Sequence, residues 1–444
     1  MMKKMRPLIL LLICSITLFI PLSYAGGIAD REVLANGITL LHAKKTGLPL
    51  VTVVIAVKAG SIAEPAEKSG LANLTADLLN EGTKTRSSKE ISDAIEFVGG
   101  SLDASGGTDY VTVSLSVLKK DVGLGFDLLS DIILNPAFSD AEIQRRKTSI
   151  KNSIIQQKEE PGIIAAKAFA EAVFGKNPYG RPVEGTEVSL DRITREEIIT
   201  FHQEHYLPNE TIMTVVGDIS KGELHALLDR YFMNWQRREC KELSLPEPAF
   251  GEKPQVVKIQ KTLAQANIIL GHLGIKRDNP DYYAVSVMNY ILGGGGFVSR
   301  LMDNIRDNKG LAYDVHSSFS ASKYAGSFQA GLQTKNESAN TAIGEIFKEI
   351  ERIRTEPVSD RELNDAKSYL TGSFPLRIDS NKKIAGFLTA VEYYGLGLDY
   401  VDNYRKLIEA VSKDDVLRVA GKYLNTNSYV LVVVGDLEKA ALKY

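Results

Sequence analysis

The chain has 444 residues, 44% of them hydrophobic, with 53 Lys+Arg against 55 Asp+Glu and two cysteines. Acidic and basic residues are interspersed and nearly balanced, which leaves no electrostatic footprint for nucleic acid. At this length the chain has room for two domains of about 150–200 residues or more.

Residues 1–25 read as an export signal. Lys3, Lys4 and Arg6 form a basic start, Leu8 to Ile20 an apolar core too short to span a bilayer, and Ser23-Tyr24-Ala25 a cleavage site. Lipidation at Cys14 would need a small residue before it, and Ile13 stands there. The expectation is a secreted chain, in a bacterial periplasm, starting at residue 26. Without the signal, 50 basic residues face 55 acidic ones, a net charge of −5, and Cys240 remains without a disulfide partner. No later apolar run approaches the ~18 residues that a membrane span requires.

From residue 26 onward the elements come in two series. The run LVTVVIAVKAGS (50–61) predicts a strand, and GSIAEPAEKSGLANLTADLLNEGT (60–83) leads from it into a helix. A strand is expected around Ser101 to Ser105. Ser139-Asp140-Ala141-Glu142 opens a helix with a serine N-cap and acidic residues in the first turn. ITREEIITFHQEHYLPNETIMTVVGDI (193–219) reads as an amphipathic helix, a Tyr-Leu turn and an apolar strand ending in Val-Val-Gly-Asp. QRRECKELSLPEPAFGEKP (236–254) holds three of the fifteen prolines without apolar periodicity, as a linker does. Then the series restarts. ANIILGHLGI (266–275) predicts a strand, Ser359-Asp360-Arg361-Glu362 a helix start, and VSKDDVLRVAGKYLNTNSYVLVVVGDL (411–437) repeats the plan of 193–219. The fold class is α+β. Two homologous domains are expected, 26–235 and 255–444, joined through 236–254 and facing each other as a half-clam. Each is a mostly antiparallel sheet packed with helices.

Groups for chemistry are sparse. Neither H-x-x-E-H nor H-E-x-x-H occurs, and no Ser/His/Asp or Cys/His arrangement is evident. His202, Glu204 and His205 in FHQEHY fall one residue short of zinc-binding spacing. The repeated helix reads RVAGKY at that place and no third ligand accompanies them, so they read as surface or helix-end histidines. Gly293, Gly294, Gly295 and Gly296 precede Phe297 and are not a phosphate loop, since no Gly-Lys-Ser/Thr follows.

Residues 60–83 with FVGGSLDASGGTDYVTVSL (97–115), NPYGRPVEGT (177–186) and LGGGGFVSRLMDNIRDNKGLAY (292–313) resemble, in order and spacing, the pitrilysin/insulinase (inverzincin) superfamily of zinc peptidases. The form is the small two-domain one, similar to mitochondrial processing peptidase, and the resemblance covers essentially all of residues 26–444. Active members carry H-x-x-E-H on the helix that here follows Gly70-Leu71-Ala72. Its two His bind zinc, its Glu is general base to the bound water, and a Glu on a later helix is the third ligand. Those places hold Asn73, Ala76, Asp77 and, at or next to the last, Ser153. The resemblance thus implies a degenerate site, with no catalytic residue intact and no metal in this chain.

Arg306 and Tyr313, in NIRDNKGLAY, resemble the Arg/Tyr pair that binds substrate across the cavity in active relatives. Guanidinium and phenol supply donors for a carbonyl or a developing oxyanion. By the same resemblance, Gly293 to Gly296 form either a flexible, substrate-touching loop at the cavity mouth or a plain helix-to-helix turn. Ser101 to Ser105 become an edge strand for peptide β-augmentation. The implied function is that of a non-catalytic, substrate-binding subunit in a heterodimeric zinc metallopeptidase. It would supply Arg306 and Tyr313 to a homologous H-x-x-E-H chain that holds the zinc and acts on peptides. The alternative is a stand-alone peptide-binding or chaperone-like pseudo-peptidase.

Overall fold

The computed structural model describes residues 28–240 and 243–444, so the expected signal (1–25) and Cys14 lie outside the described residues. In the first half β1 (Asp30–Val33), β2 (Thr39–Lys44), β3 (Leu50–Val57), β4 (Ser101–Ser105), β5 (Val111–Leu118) and β6 (Thr211–Gly217) form one sheet, in the order β1-β2-β6-β3-β5-β4. In the second, β7 (Gln255–Gln260), β8 (Gln265–Leu273), β9 (Ala312–Ala321), β10 (Gly326–Lys335) and β11 (Val430–Gly435) form another, in the order β7-β11-β8-β10-β9.

Leaving out β1, the two orders coincide strand for strand. The directions coincide as well: β2 with β6 and β7 with β11 are parallel, and the remaining pairs are antiparallel. Each parallel pair arises because the chain, after its long helical excursion, inserts its last strand between the first two it made. The repeat read from the two Val-Val-Gly-Asp endings is therefore a repeat of topology.

Helix starts repeat too. The Ser139 hydroxyl accepts the Glu142 amide, and Ser359 forms a reciprocal capping box with Glu362. Thr194 with Glu197 and Ser412 with Asp415 close the matching boxes before the terminal strands. Each such cap stabilises its helix by about 1 kcal/mol.

One face of each sheet is covered by helices of its own half. The other face is covered by a helix from the opposite half. Pro161–Phe174, from the first half, lies on β8 and β11 and buries Ala165, Phe169 and Val173 with Val430, Val432 and Val434. Asn381–Tyr393, from the second half, lies on β3 and β6 and buries Ala385 and Leu388 with Val54, Ala56 and Ile212. This exchange explains why β3, β6 and β11 are buried almost throughout rather than alternating. Polar contacts fix it: the Thr214 and Thr389 hydroxyls meet at 2.8 Å, and Arg31 forks onto the Glu392 carboxylate.

Between the Lys221–Tyr231 helix and β7 no further helix or strand forms among the described residues. Cys240 lies there, with the Asn209 amide donating to its sulfur at 3.2 Å. Among the described residues no helix is long and apolar enough to cross a membrane.

Candidate functional site

The helix Leu71–Asp77 buries Leu71, Ala72, Leu74, Thr75 and Ala76 and leaves Asn73, Asp77 and, just past its end, Asn80 half-buried. These are positions i, i+4 and i+7 and share one face. Its N-terminus is closed by a side chain from outside the helix, since the Gly70 and Ala72 amides donate to the Glu64 carboxylate at 3.0 and 2.8 Å. Burial outweighs those bonds and the nearby Arg181, and pushes Glu64 up to about 7. The helix sits tight beneath the loop that leaves β4. A Cβ on Gly106 would fall 2.6 Å from Asn73 Cα, so only glycine permits this approach.

Across from this face runs the Asp140–Gln157 helix. Ser153 is exposed on it. Two turns earlier, Arg146 places Nε 3.7 Å from Asp77 Oδ2 and Nη2 3.7 Å from Glu81 Oε1, while Arg145 also pairs with Glu81. Burial raises the Asp77 carboxyl, Arg146 pulls it down, and Glu81 raises it further. Tyr206 closes the floor. Its hydroxyl is buried without a hydrogen-bond partner, and burial together with Asp77 pushes its pKa up.

These side chains do not make a zinc centre. An amide, a fully buried methyl group, a carboxylate already facing a guanidinium and an exposed hydroxyl do not supply three metal donors around an open position. Nor do the described residues hold elsewhere a group of three or more His, Cys, Asp or Glu placed for a metal.

His202 lies in the last turn of the Arg195–His205 helix, the helix-end placement rather than the surface one. It is half-buried: Nε2 lies 2.8 Å from the Ile133 carbonyl, its ring stacks on Tyr206 at 4.6 Å, and Phe138 meets it edge-on. Burial pushes it down to about 4, so it is a neutral structural residue. His205 is the last residue of its helix, packed against Phe201 at 4.5 Å.

The second half presents the Arg306–Tyr313 pair as a unit. Arg306 lies in the helical turn Met302–Asn308, with its guanidinium carbon 4.8 Å from the Phe297 ring centre and 5.5 Å from that of Tyr313. Asp307 accepts a bond from it at 3.0 Å. Tyr313 is the second residue of β9 and is 85% exposed, and Phe297 is 69% exposed. Within the described residues the pair makes no hydrogen bond to the first half.

In the glycine run beside it Gly293 is buried and Gly294 and Gly296 are exposed. A Cβ would meet the Ser317 amide at 2.5 Å on Gly293, Asn289 Nδ2 at 2.7 Å on Gly294 and the Tyr290 carbonyl at 2.8 Å on Gly295. Gly296, with φ +58°, faces open space. Both β4 and β9 are sheet edges, each paired with a strand on one side only, and the Leu102 carbonyl of β4 accepts from the Asn80 amide at 3.4 Å.

Three residues of this region escaped the sequence reading: Glu64, Arg146 and Phe297. Only Phe297 carried a sequence signal, as a large aromatic directly after the glycines.

The fold is a two-fold repeated α+β arrangement, with Asn73 and Asp77 on one helix face in the first half and Arg306 beside Tyr313 in the second. A family model described as insulinase (peptidase family M16) matches residues 40–187, and one described as peptidase M16 inactive domain matches 192–370. The chain belongs to the M16 insulinase family. An uncharacterized zinc protease of Streptomyces coelicolor is 26% identical over 417 residues, covering 93% of this chain and 90% of its own. One from Rickettsia felis is 26% identical over 401 residues, covering 88% and 94%. Among solved structures, a peptidase M16 inactive domain from Pseudomonas fluorescens superposes with a TM-score of 0.86 at 28% identity, covering 92% of this chain and 98% of that one. A protease from Helicobacter pylori shares the fold, with a TM-score of 0.84 at 19% identity over 92% and 99%.

Proposed function

We propose that this chain is the non-catalytic, substrate-binding subunit of a two-chain zinc peptidase of the periplasm. Its partner is a homologous chain that carries H-x-x-E-H and the zinc, and the pair acts on peptides. The observation that carries the reading is a division within one molecule. The helix face that by resemblance would hold the metal carries Asn73, Ala76 and Asp77, none of them a strong donor, while Arg306 lies 5.5 Å from the ring of the exposed Tyr313. A half-buried guanidinium beside an exposed phenol suits a carbonyl or oxyanion that another chain brings to them. Purification from the native source followed by mass spectrometry tests this. An equimolar H-x-x-E-H homologue should co-purify, and recovery of a monomer with no such companion would sink the proposal.

A second reading is favoured by one feature. The edges of β4 and β9 belong to this chain alone, so an extended peptide could add to either without a partner. That would be a stand-alone peptide-binding or chaperone-like role. It gives no reason for Arg306 to be held between two exposed rings.

A further inference from the structure

The missing ligands are not the whole of what separates this helix from a zinc site. Arg146 lies seven residues before Ser153, hence two turns away on the same side of the Asp140–Gln157 helix. Its guanidinium stands 3.7 Å from Asp77 and 3.7 Å from Glu81. The Nε proton is buried and makes no hydrogen bond. Arg145 binds the other Glu81 oxygen and also pairs with Glu142, so two guanidinium groups meet the Asp77, Glu81 and Glu142 carboxylates over this helix face. A zinc ion sits about 2.0–2.3 Å from its ligands, so one held by residue 77 would lie within a few ångströms of the fixed positive charge.

We infer that Arg146 supplies internally the positive charge that a metal would bring, so that restoring the ligand side chains while Arg146 remains does not recreate a zinc site. The inference rests on the reading that residues 73, 77 and 153 occupy the ligand positions. It holds whether or not Arg306 serves a partner. The physical content is a charge conflict. Zinc and guanidinium repel at short range in a half-buried site, where water screens them poorly. In the wild-type chain the same cation offsets the carboxylates of Asp77 and Glu81, which would otherwise face each other across one helical turn.

The test restores three ligands with Asn73→His, Asp77→His and Ser153→Glu. It leaves the fully buried Ala76 alone, because zinc binding does not need the general base and a glutamate there would disrupt the core. The triple variant is compared with the same variant carrying Arg146→Gln and with one carrying Arg146→Lys. Thermal unfolding and Trp235 emission confirm that each is folded, and zinc affinity is read by titration calorimetry and metal analysis. Positions 73, 77, 146 and 153 are all half-buried or exposed, which lets the fold accept these changes.

The expected result is weak, substoichiometric zinc in the triple and Lys variants, and one zinc per chain in the Gln variant, at least about 100-fold tighter. Equal, stoichiometric binding by all three would overturn the charge inference. Folded proteins that all fail to bind would overturn the ligand assignment, and the inference with it. If the triple variant fails to fold, the pair Asn73→His and Asp77→His with and without Arg146→Gln gives the same comparison with two ligands. Unchanged zinc affinity on removing Arg146 again refutes it.

Discussion

Leu388→Ala tests the helix exchange. Leu388 belongs to the second half but is 1% exposed in the cluster formed with Leu41, Val54, Ala56, Ile212 and Val216 of the first sheet. Truncating a fully buried leucine leaves a cavity and lowers stability by about 2–5 kcal/mol. The chain has one tryptophan, Trp235, in the core on the opposite face of the first sheet, with Nε1 donating to the Tyr206 carbonyl at 3.0 Å. Its fluorescence therefore reports the first half alone. With a slope of roughly 3 kcal/mol per molar urea, a loss of ~3 kcal/mol moves the midpoint down by about 1 M. The prediction is that this second-half substitution lowers the Trp235 midpoint by that amount. An unchanged Trp235 transition, alongside earlier loss of circular dichroism, would show that the exchanged helices decorate two independently stable halves, and the account of the fold would fail.

Two groups oppose one another in pH dependence. Glu64, raised to about 7 by burial, contributes stability that is full below its unfolded value of 4.5 and is lost as pH rises through 7, up to about 3 kcal/mol. His202, lowered to about 4, contributes stability that is full above 6.5 and is lost as pH falls through 4, by a similar amount. Wild-type stability should thus be nearly flat between pH 6.5 and 4.5 on account of this pair. Glu64→Gln should make it fall on acidification and His202→Gln should make it rise, both read by urea midpoints across pH; parallel profiles would contradict the assignments. Phe297→Ala should cost under about 1 kcal/mol in folding, as for an exposed cation–π contact, yet slow the reconstituted peptidase by loosening Arg306. Unchanged turnover would show that the ring does not position the guanidinium. The wild-type chain alone should hold no stoichiometric zinc on metal analysis and show no chelator-sensitive hydrolysis; one tightly held zinc per chain contradicts this.

What the sequence made legible were local signals repeated at two places. Ser139 and Ser359 and the twin Val-Val-Gly-Asp ends each declare an element boundary through short-range chemistry, and all lie where those signals place them. The exchange of helices was not legible. The apolar face of Pro161–Phe174 announces burial but cannot name the sheet that covers it, which depends on the packing of two halves far apart in the chain. Arg146 was invisible for a related reason. On a polar helix, in the run QRRKTS, it reads as a solvated cation, and only the approach of Asp77 from another element gives it a partner. His202 stands in the last turn of its helix, as expected, but its burial comes from Phe138 and Ile133, more than sixty residues earlier in the chain. The parallel strand pairs likewise follow from where the chain returns, which no local pattern encodes.

The central claim, that this chain lends substrate-binding groups to an active site it does not contain, is tested most directly by kinetics of the reconstituted complex. Arg306→Ala and Tyr313→Phe are made here, complex formation with the H-x-x-E-H partner is confirmed by gel filtration, and kcat/KM is measured on a peptide substrate. Loss of one donor to a carbonyl or oxyanion in a closed site lowers the rate about 10²–10³-fold, or roughly 3–4 kcal/mol. The account predicts a fall of that size with the complex intact, since Tyr313 is exposed and neither residue supports the core. Wild-type kcat/KM with both substitutions in an intact complex would contradict it.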